Sequence, residues 1–336
     1  MIKVGIVGCG RIAKAHLNAL SGMRNKFFVS TVFDTNIEIA NSLAREYGVS
    51  SVSAHFEEIL NDPSINLVSV TVPDGFHYRI VKKLLLAGKN VLVEKPIALS
   101  KNEMIDLVNL AKSKDLFLGV VLQKRLFKIF VNIKRLVENG VLGDIFLSSL
   151  QQIWYRDDAY FNSSWHGERS IDGGLILNQS THNIDLLDWI VGPITRVISF
   201  GGNLVKNIET EDTVASSYTT ENGVGNIMLT ISSYPKNFGS LFQIFGTKGR
   251  ITVGTGKFEC LTTEELKQYL YELKYPTISG YGHSIVYSEV FDRLTHGEHT
   301  NIEAFNVIHS SLVAFALRKS IEEHKKIEIG GSNEHK

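Results

Sequence analysis

A lysine follows an apolar run that has the pattern of a buried strand. Residues 90–93 read Asn-Val-Leu-Val, and Glu94, Lys95 and Pro96 come directly after them. Burial disfavours the charged form of lysine and makes its pKa adjustable, so an ammonium at such a strand end can polarise or orient a reacting oxygen near neutral pH. The alternative interpretation is an ordinary ion pair between Lys95 and Glu94. Lys95 is the first candidate catalytic residue.

A histidine lies in a second polar segment, residues 172–185, where Gly173 and Gly174 lead into a predicted helix. Asn178, His182 and Asp185 have the spacing i, i+4 and i+7, which predicts that they share one helical face. A helix start disfavours protonation of a nearby imidazole, so His182 could act as a general base. The alternative is a buried histidine bonded to Asp185 or to a backbone carbonyl.

The same two residues raise the question of a metal. His182 and Asp185 are both possible ligands, but the segment supplies one histidine among amide neighbours. A lysine at position 95 would also be a poor companion for a cation. We therefore predict no metal.

A glycine-rich sequence indicates a dinucleotide cofactor. Residues 8–13, Gly-Cys-Gly-Arg-Ile-Ala, follow the first predicted strand and open the first predicted helix. Small residues let the backbone approach a pyrophosphate, and the helix N-terminus offers it free amides. The residues expected to contact the cofactor here are Gly8, Gly10, Arg11 and Ile12. The alternative is a tight strand-to-helix turn without a ligand.

An acidic residue favours NAD over NADP. Asp34 lies 24 residues after Gly10, at the end of the second predicted strand. A carboxylate there can accept hydrogen bonds from the ribose hydroxyls of NAD, and it would repel a 2′-phosphate. A helix cap is the alternative role for Asp34.

The loop after the fourth predicted strand carries Pro73 and His77. Open α/β sheets bind ligands at the carboxyl edge of their strands, so we expect this loop to line the nicotinamide half of the cofactor. His77 could equally begin a helix without any chemical role. The histidines at 16, 55, 309 and 324 have no partners in the nearby sequence and are interpreted as surface or core residues.

The elements that position these residues form two domains. Short apolar runs at residues 4–7, 28–33, 67–72, 90–93 and 117–122 alternate with helical patterns. This alternation is typical of a parallel sheet with crossover helices on both faces. We predict an α/β domain over residues 1–122, a doubly wound Rossmann fold that binds NAD.

The pattern changes after residue 122. A helical stretch at 129–138 precedes alternating segments at 213–218, 226–232 and 241–245, and a last helix is predicted at 303–322. Alternation favours an antiparallel sheet with one covered face. We predict an α+β domain over residues 123–330, with a large open and mostly antiparallel sheet that binds substrate and forms oligomers. The boundary has no linker signature, so a short connection and a cleft between domains are expected.

Composition excludes several classes of protein. The 336 residues include 35 basic and 35 acidic ones, so the chain lacks the net charge that attracts nucleic acid. No apolar run reaches membrane-spanning length, and no leader pattern is present, so a cytoplasmic protein is expected. Cys9 and Cys260 are the only cysteines, which argues against a disulfide framework.

Three motifs together resemble those of a known family. The glycine loop, Glu94-Lys95-Pro96 and the 173–185 segment occur in the order and spacing of the glucose-fructose oxidoreductase / inositol dehydrogenase (Gfo/Idh/MocA) family. The resemblance implies NAD in the first domain, substrate on the sheet of the second, and homodimers or homotetramers formed through that sheet. It implies that Lys95 and His182 are the catalytic pair and that Glu94 positions the nicotinamide. The Lys95–Pro96 bond also corresponds to one that is often cis in that family.

Two departures from the family pattern matter. Many polyol dehydrogenases of the family carry an aspartate where this chain has Asn178, so a proton relay through that position is in doubt. The segment after residue 122 keeps Gln123, a predicted cofactor contact, and Arg125, but it lacks the asparagine and proline that usually follow. With Trp165-His166-Gly167 and Gln179, the pattern resembles the nucleotide-sugar branch, whose UDP-N-acetylglucosaminuronate 3-dehydrogenases oxidise a ring hydroxyl to a ketone.

A nucleotide sugar needs cations for its diphosphate and flat side chains for its rings. The cations proposed for it are Lys124, Arg125, Arg156 and Arg169, and the aromatic residues are Trp154, Tyr155, Tyr160 and Trp165. Asn178 and Gln179 would orient the substrate or the base. Sheet packing is the alternative role for the aromatic residues.

The resulting hypothesis is an NAD-dependent oxidoreductase that oxidises a secondary hydroxyl of a sugar, C3 of a UDP-N-acetyl sugar acid. Two alternatives stay open. One is a dehydrogenase of a free sugar or inositol, for which the same catalytic pair would suffice. The other is a non-catalytic protein that binds NAD as a sensor.

Overall fold

The structure is a computed structural model that describes residues 1–162, 165–254, 257–261 and 282–330. The chain folds into two compact units. The first contains Met1–Leu126 and the described part of Ile278–Ile308, and the second contains the described parts of Phe127–Thr277 and His309–Lys336. The predicted boundary lies at residue 122, with residues 123–330 in the second domain. The structure instead returns a late segment to the first unit.

A six-stranded sheet forms the centre of the first unit. Its strands are β1 (Ile2–Val7), β2 (Phe27–Phe33), β3 (Ser51–Val52), β4 (Leu67–Val70), β5 (Asn90–Val93) and β6 (Leu118–Val120). They lie in the order β3-β2-β1-β4-β5-β6, and every pair is parallel. This order and pairing confirm the predicted doubly wound Rossmann fold. Strand β3 was not predicted, because two residues leave no periodic pattern.

Crossover helices connect these strands. They are α1 (Arg11–Ser21), α2 (Ile37–Tyr47), α3 (Phe56–Asn61), α4 (His77–Leu86) and α5 (Lys101–Ser113). Local sequence sets their ends: the side chain of Asn36 caps α2 by accepting from the amides of Glu38 and Ile39. Gly48, with φ 67°, ends the same helix in the left-handed conformation that glycine adopts without strain.

An eight-stranded sheet forms the second unit. Its strands are β7 (Ile145–Ile153), β8 (Arg196–Gly202), β9 (Thr213–Thr219), β10 (Val224–Thr230), β11 (Gly239–Gly246), β12 (Gly249–Gly254), β13 (Lys257–Leu261) and β14 (Ile327–Glu328). The order is β13-β12-β11-β7-β10-β9-β8-β14, and all pairs are antiparallel except β10 with β7. The prediction of a large, mostly antiparallel sheet is confirmed.

The two faces of this sheet differ. The helices of the unit include α6 (Lys128–Glu138), α7 (Asp158–Asn162) and α8 (Thr181–Val191), and α8 packs against β7. Buried and exposed residues alternate along β9 and β10, as expected for a sheet with one covered face. The open face presents apolar side chains, including Phe200 and Met228, which are 69% and 44% exposed.

Two helices complete the described chain. Helix α9 (His283–His296) belongs to the first unit, and α10 (Ile308–Glu323) follows a short 3-10 turn, Ala304–Val307. Helix α9 returns to the first unit because its apolar face, including Val286, Tyr287 and Val290, joins the core built on β1. No helix in the described part of the chain is both long and apolar enough to cross a membrane.

Candidate functional site

The glycine loop has the backbone geometry that a dinucleotide requires. Gly8 follows β1 with φ 96°, and a Cβ there would come within 2.8 Å of the backbone of Thr71 and Val72. Only glycine therefore fits this position. Gly10 precedes α1, has no atom within 4 Å of an ideal Cβ, and leaves the helix start without a side-chain cap. The backbone amides of Arg11 and Ile12, in the first turn of α1, can thus face an incoming phosphate.

Asp34 is held beside this loop. Its Oδ2 accepts the backbone amide of Cys9 at 2.8 Å, and its Oδ1 accepts that of Asn36 at 2.8 Å. The carboxylate is only partly buried, so each oxygen keeps acceptor capacity for a ribose hydroxyl. Cys9 itself is inert as a nucleophile, because burial and the charge of Asp34 raise the pKa of its thiol to about 12.

At the end of β5, Glu94 is buried and Lys95 is partly exposed. Oε1 of Glu94 accepts from His16 Nε2 at 3.0 Å and from His283 Nε2 at 3.1 Å. Burial alone would raise the pKa of Glu94, but these two hydrogen bonds outweigh it and hold the pKa well below its ordinary value. The Lys95–Pro96 peptide bond is cis, as the resemblance implied.

The structure corrects the prediction for His77. It begins α4 with no exposed surface, and its two ring nitrogens lie 2.6 Å from the carbonyl oxygen of Pro96 and 2.9 Å from that of Val72. A side chain enclosed in this way cannot contact the cofactor. His16 is a core residue, one of the two interpretations offered for it, and its partners are Glu94 and Tyr287, 78 and 271 residues away.

The turn after β6 carries Gln123, which is suited to bind a cofactor, and Arg125, which is too buried to bind a substrate. Oε1 of Gln123 is buried with no hydrogen-bond partner among the described residues, as expected of a group that meets an amide of a ligand. Arg125 is only 2% exposed, and its Nη1 donates to the carbonyls of Asn301 at 3.3 Å and Asn306 at 3.0 Å. The structure thus corrects the prediction that Arg125 binds substrate. Burial lowers the pKa of the neighbouring Lys124 to about 8.

The His182 segment folds differently from its predicted regular helix. Leu175–Gln179 form a π-helical turn, and α8 begins only at Thr181, after Ser180. The predicted common face of Asn178, His182 and Asp185 is therefore wrong, because the helical period breaks between the first two. His182 remains at a helix start and is partly exposed. Asp185 accepts from Ser310 Oγ at 2.5 Å.

Asp172 organises this segment, which sequence reasoning did not recognise. Its Oδ2 accepts the amide of Gly167 at 2.7 Å, and its Oδ1 accepts the amide of Gly174 and Nδ2 of Asn178, both at 2.9 Å. Gly174 has φ 65°, and a Cβ there would come within 2.6 Å of Thr210. A carboxylate directly before two glycines was the available signal. The carboxylate at 172 thus fixes the amide at 178.

An aromatic and cationic cluster adjoins the π-helical turn. Arg156 Nε donates to Oε1 of Gln179 at 3.1 Å, and Nε2 of Gln179 donates to the hydroxyl of Tyr160 at 2.7 Å. The guanidinium lies 5.1 Å from the ring of Trp154 and 5.6 Å from that of Tyr160. We call these four residues, Trp154, Arg156, Tyr160 and Gln179, the Arg156 cluster. Predicted from separate segments, they meet in the structure.

Other predicted substrate residues lie in different surroundings. Trp165 packs on His166, with ring centroids 4.1 Å apart, and His166 stacks on Tyr160 at the same distance. Tyr155 instead contacts Tyr234. Arg169 donates to Glu322 at 2.9 Å and to the carbonyl of Glu209 at 3.0 Å. Arg169 stays a predicted substrate residue, although its guanidinium already makes these two contacts.

Comparison with known families agrees with the fold and the motifs. Residues 2–122 match the oxidoreductase family with an NAD-binding Rossmann fold, and residues 130–252 match the GFO/IDH/MocA C-terminal domain. The two matches together cover most of the chain. The chain belongs to the GFO/IDH/MocA family and is an NAD-dependent oxidoreductase.

Particular relatives differ in what they act on. The structure of the WlbA dehydrogenase from Bordetella pertussis, in complex with NADH and UDP-GlcNAcA, is 26% identical, with a TM-score of 0.89 over 98% of this chain and 99% of that one. Levoglucosan dehydrogenase from Pseudarthrobacter phenanthrenivorans is 27% identical over 286 residues, 74% of this chain and 73% of the relative. The NADP(+)-dependent scyllo-inositol 2-dehydrogenase IolW from Bacillus subtilis is 30% identical over 184 residues, 55% and 50% of the two chains.

The residues of the first unit fit NAD. The features that would hold it are the strand-to-helix turn at Gly8 and Gly10, the fixed carboxylate of Asp34 and the buried Oε1 of Gln123, which has no partner in the described part of the chain. Pro73, which is partly exposed in the loop after β4, stays a predicted contact. Glu94 also stays predicted as a nicotinamide contact, although its Oε1 already accepts two hydrogen bonds from histidines.

Proposed function

We propose that this protein oxidises the C3 hydroxyl of a UDP-N-acetyl sugar acid to a ketone, with Lys95 and His182 as the catalytic pair. The observation that carries the substrate class is the Arg156 cluster, in which Gln179, three residues before His182, holds a guanidinium against two aromatic rings. A guanidinium suits a carboxylate or a phosphate, and the rings suit a sugar or a base.

Two further observations support this class over free polyols. The WlbA dehydrogenase of similar fold was solved with a UDP-linked sugar acid. Position 178 holds an amide that donates to Asp172, so the carboxylate that many polyol dehydrogenases use there is absent. We expect a bound nucleotide sugar to place a negative charge beside Arg156. Lys124 and Arg169 stay predicted cations for it, and Arg125 is set aside because it is buried.

The proposed chemistry assigns one task to each catalytic residue. His182 accepts the proton of the C3 hydroxyl, and Lys95 donates a hydrogen bond to the same oxygen and stabilises its developing negative charge. Bound NAD would supply the acceptor for the hydride that leaves C3. The products are then a 3-keto sugar, NADH and the protonated base. The partial burial of Lys95 would favour its task, because a partly desolvated ammonium interacts strongly with an oxyanion.

Free sugars or inositols are the second candidate substrates. The similarity to levoglucosan dehydrogenase and to the inositol dehydrogenase IolW supports them, and the same catalytic pair would serve. In that case the Arg156 cluster would stabilise the fold of the second unit without binding a phosphate.

We also propose a homodimer or homotetramer formed through the open face of the second sheet. Phe200 and Met228 both pair with Ala215 and lie in one row across β8, β9 and β10. Ile198 and Val224, 40% and 55% exposed, extend this apolar surface. Covering such a patch with a second copy would remove it from water. A Phe200→Glu variant that loses mass in light scattering, with unchanged circular dichroism, would support this interface.

The proposed function is tested with a panel of substrates. The purified protein is first analysed for bound nicotinamide, and NADH formation is then followed by near-ultraviolet absorbance. The panel contains UDP-N-acetyl sugar acids, the matching UDP-sugars whose sugar ring carries no carboxylate, free sugars, inositols and levoglucosan. We expect reduction with the UDP-linked acids only. If only free polyols reduce NAD, the second candidate substrate class is correct. If the protein binds NAD but turns over none of these substrates, a role as an NAD sensor is favoured.

A variant separates the role of the Arg156 cluster from general loss of structure. Arg156→Gln removes the charge and keeps a hydrogen-bond donor for Gln179. We expect at least a 10-fold rise in KM for a UDP-linked acid and little change with free sugars or inositols, because a charge-assisted hydrogen bond contributes about 1.5–3 kcal/mol. Arg196→Gln, on an exposed ion pair with Glu328, is the matched control. An unchanged KM for the acid would remove Arg156 from the substrate site.

A further inference from the structure

Three buried histidines meet the residues on either side of Lys95. His16 lies on α1, His77 begins α4 and His283 begins α9, and their exposed fractions are 0%, 0% and 3%. None of them can contact a substrate. Nevertheless, their hydrogen bonds converge on Glu94 and Pro96, the residues that immediately precede and follow the predicted catalytic lysine.

On the amino-terminal side, two histidines hold the side chain of Glu94. His16 Nε2 and His283 Nε2 both donate to Oε1, at 3.0 and 3.1 Å, so both protons are on Nε2. Oε2 of Glu94 accepts the backbone amide of Lys95 at 3.3 Å. The histidines therefore fix a carboxylate that itself holds the backbone of the lysine.

A chain of hydroxyls fixes His16 in turn. Its Nδ1 lies 2.8 Å from the hydroxyl of Tyr287, which lies 2.7 Å from Ser69 Oγ on β4. Burial lowers the pKa of His16, so the neutral ring, with its proton on Nε2, accepts from the tyrosine. Burial likewise raises the pKa of Tyr287, which keeps its hydroxyl proton available for this bond.

On the carboxyl-terminal side, His77 holds the backbone after the lysine. Its Nδ1 lies 2.6 Å from the Pro96 oxygen and its Nε2 lies 2.9 Å from the Val72 oxygen. Burial lowers the pKa of His77, against the opposing effect of the two nearby carbonyl oxygens and the charge of Glu94, while the charge of Lys95 lowers it further. A neutral ring has one N–H, which we assign to the shorter contact with Pro96. Nε2 then carries no proton and donates nothing to the Val72 oxygen, so the bond to Pro96 alone joins the start of α4 to the backbone after Lys95.

We propose that His16, His77 and His283 are positioning residues that fix the backbone on both sides of Lys95 and so place its ammonium for catalysis. This inference rests on the proposed catalytic role of Lys95. A lysine side chain has several rotatable bonds, so its Nζ can be placed accurately only if its backbone is fixed. A displacement of about 1 Å at a catalytic group can lower the rate roughly 100-fold.

The test compares variants at the two ends of strand β5. His77→Leu and His283→Leu remove the hydrogen bonds near Lys95. Asn90→Ala is the matched control, because Asn90 also bridges two backbone segments: its Nδ2 donates to the Asn66 carbonyl at 3.0 Å, and its Oδ1 accepts the Phe117 amide at 2.9 Å. It does so at the opposite end of the same strand. Each protein is assayed for kcat, KM, NAD affinity and Tm.

The histidine variants should lose turnover without losing cofactor. We expect kcat to fall roughly 10- to 100-fold in both, with the Kd of NAD changed less than threefold in His77→Leu, which leaves the hydrogen bonds to Glu94 in place. Asn90→Ala should lower Tm and keep kcat within twofold. His283→Gln, which restores a donor to Glu94, should recover most of the turnover, and a purely structural loss would not be recovered in this way.

A milder variant guards against misfolding. Tyr287→Phe keeps the ring in the core, removes only the hydroxyl that holds His16, and should lower kcat severalfold in a folded protein. Wild-type kcat in this variant and in whichever histidine variants fold would overturn the inference. Lys95→Met separates it from the proposed function: if Lys95→Met keeps its turnover, Lys95 is not catalytic. If Lys95→Met is inactive and the histidine variants are fully active, only the positioning role fails.

Discussion

The carboxylate of Asp34 accepts the backbone amide of Cys9 at 2.8 Å. The acid expected to recognise the ribose thus also fixes the turn expected to receive the pyrophosphate. The two halves of the cofactor site are therefore coupled through one hydrogen bond between the end of β2 and the glycine loop. A change at residue 34 alters both.

Replacing Asp34 should weaken the binding of NAD and make the protein discriminate less between NAD and NADP. Asp34→Ser removes two acceptors for ribose hydroxyls and the charge that repels a 2′-phosphate. We expect the Kd of NAD to rise roughly 10- to 100-fold, since a hydrogen bond to a charged group contributes about 1.5–3 kcal/mol. Fluorescence titrations with NADH and NADPH measure both effects. Asp106→Ser, which removes an exposed carboxylate paired with Lys82, is the control, and an unchanged ratio of the two affinities would contradict the role of Asp34.

Loss of the proposed base should affect chemistry and leave the cofactor bound. His182→Ala is expected to lower kcat by about 10²–10⁴-fold, the usual contribution of general acid–base catalysis, with an unchanged Kd for NAD. Steady-state kinetics and NADH titration distinguish these quantities. His299→Ala, at a side chain that is 87% exposed, should behave as the parent. Turnover within a few-fold of the parent in His182→Ala would remove it from the mechanism.

Restoring the aspartate of the polyol dehydrogenases should destabilise this protein. Asn178 donates to Asp172, so Asn178→Asp would replace a buried donor with a second carboxylate and raise the pKa of the pair. We expect Tm to fall at pH 8, where both groups are charged, and to recover towards pH 5 as the pair takes up a proton. Thermal unfolding at the two pH values measures this. Asn178→Ser should show no such recovery, and a pH-independent Tm in Asn178→Asp would contradict the contact.

The ion pair of His309 predicts a stability that depends on pH. Burial would lower the pKa of His309, but its 2.8 Å contact with the carboxylate of Asp188 outweighs burial and raises it. Because the folded pKa lies above the unfolded one, the stabilisation is complete below about pH 6.5 and is lost as the pH rises through the raised value. The Tm difference between the parent and His309→Phe should therefore shrink from pH 6 to pH 9. A constant difference would mean that the histidine does not titrate in the folded protein.

The cluster of His16, Glu94 and His283 also permits a test for metal. Their ligand atoms lie within 4.8 Å of one another, which is the arrangement of a possible metal site in the described chain. We expect N–H···O bonds here, so dialysis against EDTA should change neither turnover nor Tm. Elemental analysis of the purified protein provides the control. If EDTA lowers Tm and added zinc restores it, these three residues bind a metal and the hydrogen-bond assignment is wrong.

Sequence predicted the elements of the first unit well because buried parallel strands leave continuous apolar runs. The same reasoning placed Lys95 at a strand end and His182 at a helix start, since glycines and proline mark those boundaries. It failed where partners are distant in the chain. Nothing near His16 predicts its contact with Tyr287, 271 residues away.

Cations were the other source of error. The sequence indicates only that Arg125 and Arg156 both lie near turns. In the structure, Arg125 donates to the carbonyls of Asn301 and Asn306, whereas Arg156 lies against aromatic rings. The π-helical turn at Leu175–Gln179 is similar. The wider turn adds one residue to the helical repeat, so the residues after Asn178 lie on a different face. The residue types of Leu175–Gln179 do not predict a π-helical turn.

The return of α9 to the first unit has a consequence for synthesis. Val286, Tyr287 and Val290 belong to the same apolar core as Ile2 and Val4. A ribosome that adds about 5–20 residues per second needs roughly 8–30 s to proceed from Leu126 to Val290. During this time the parallel sheet is complete, but helix α9, which covers part of its apolar core, has not yet been synthesised. The nascent chain therefore exposes an apolar surface that a chaperone can recognise.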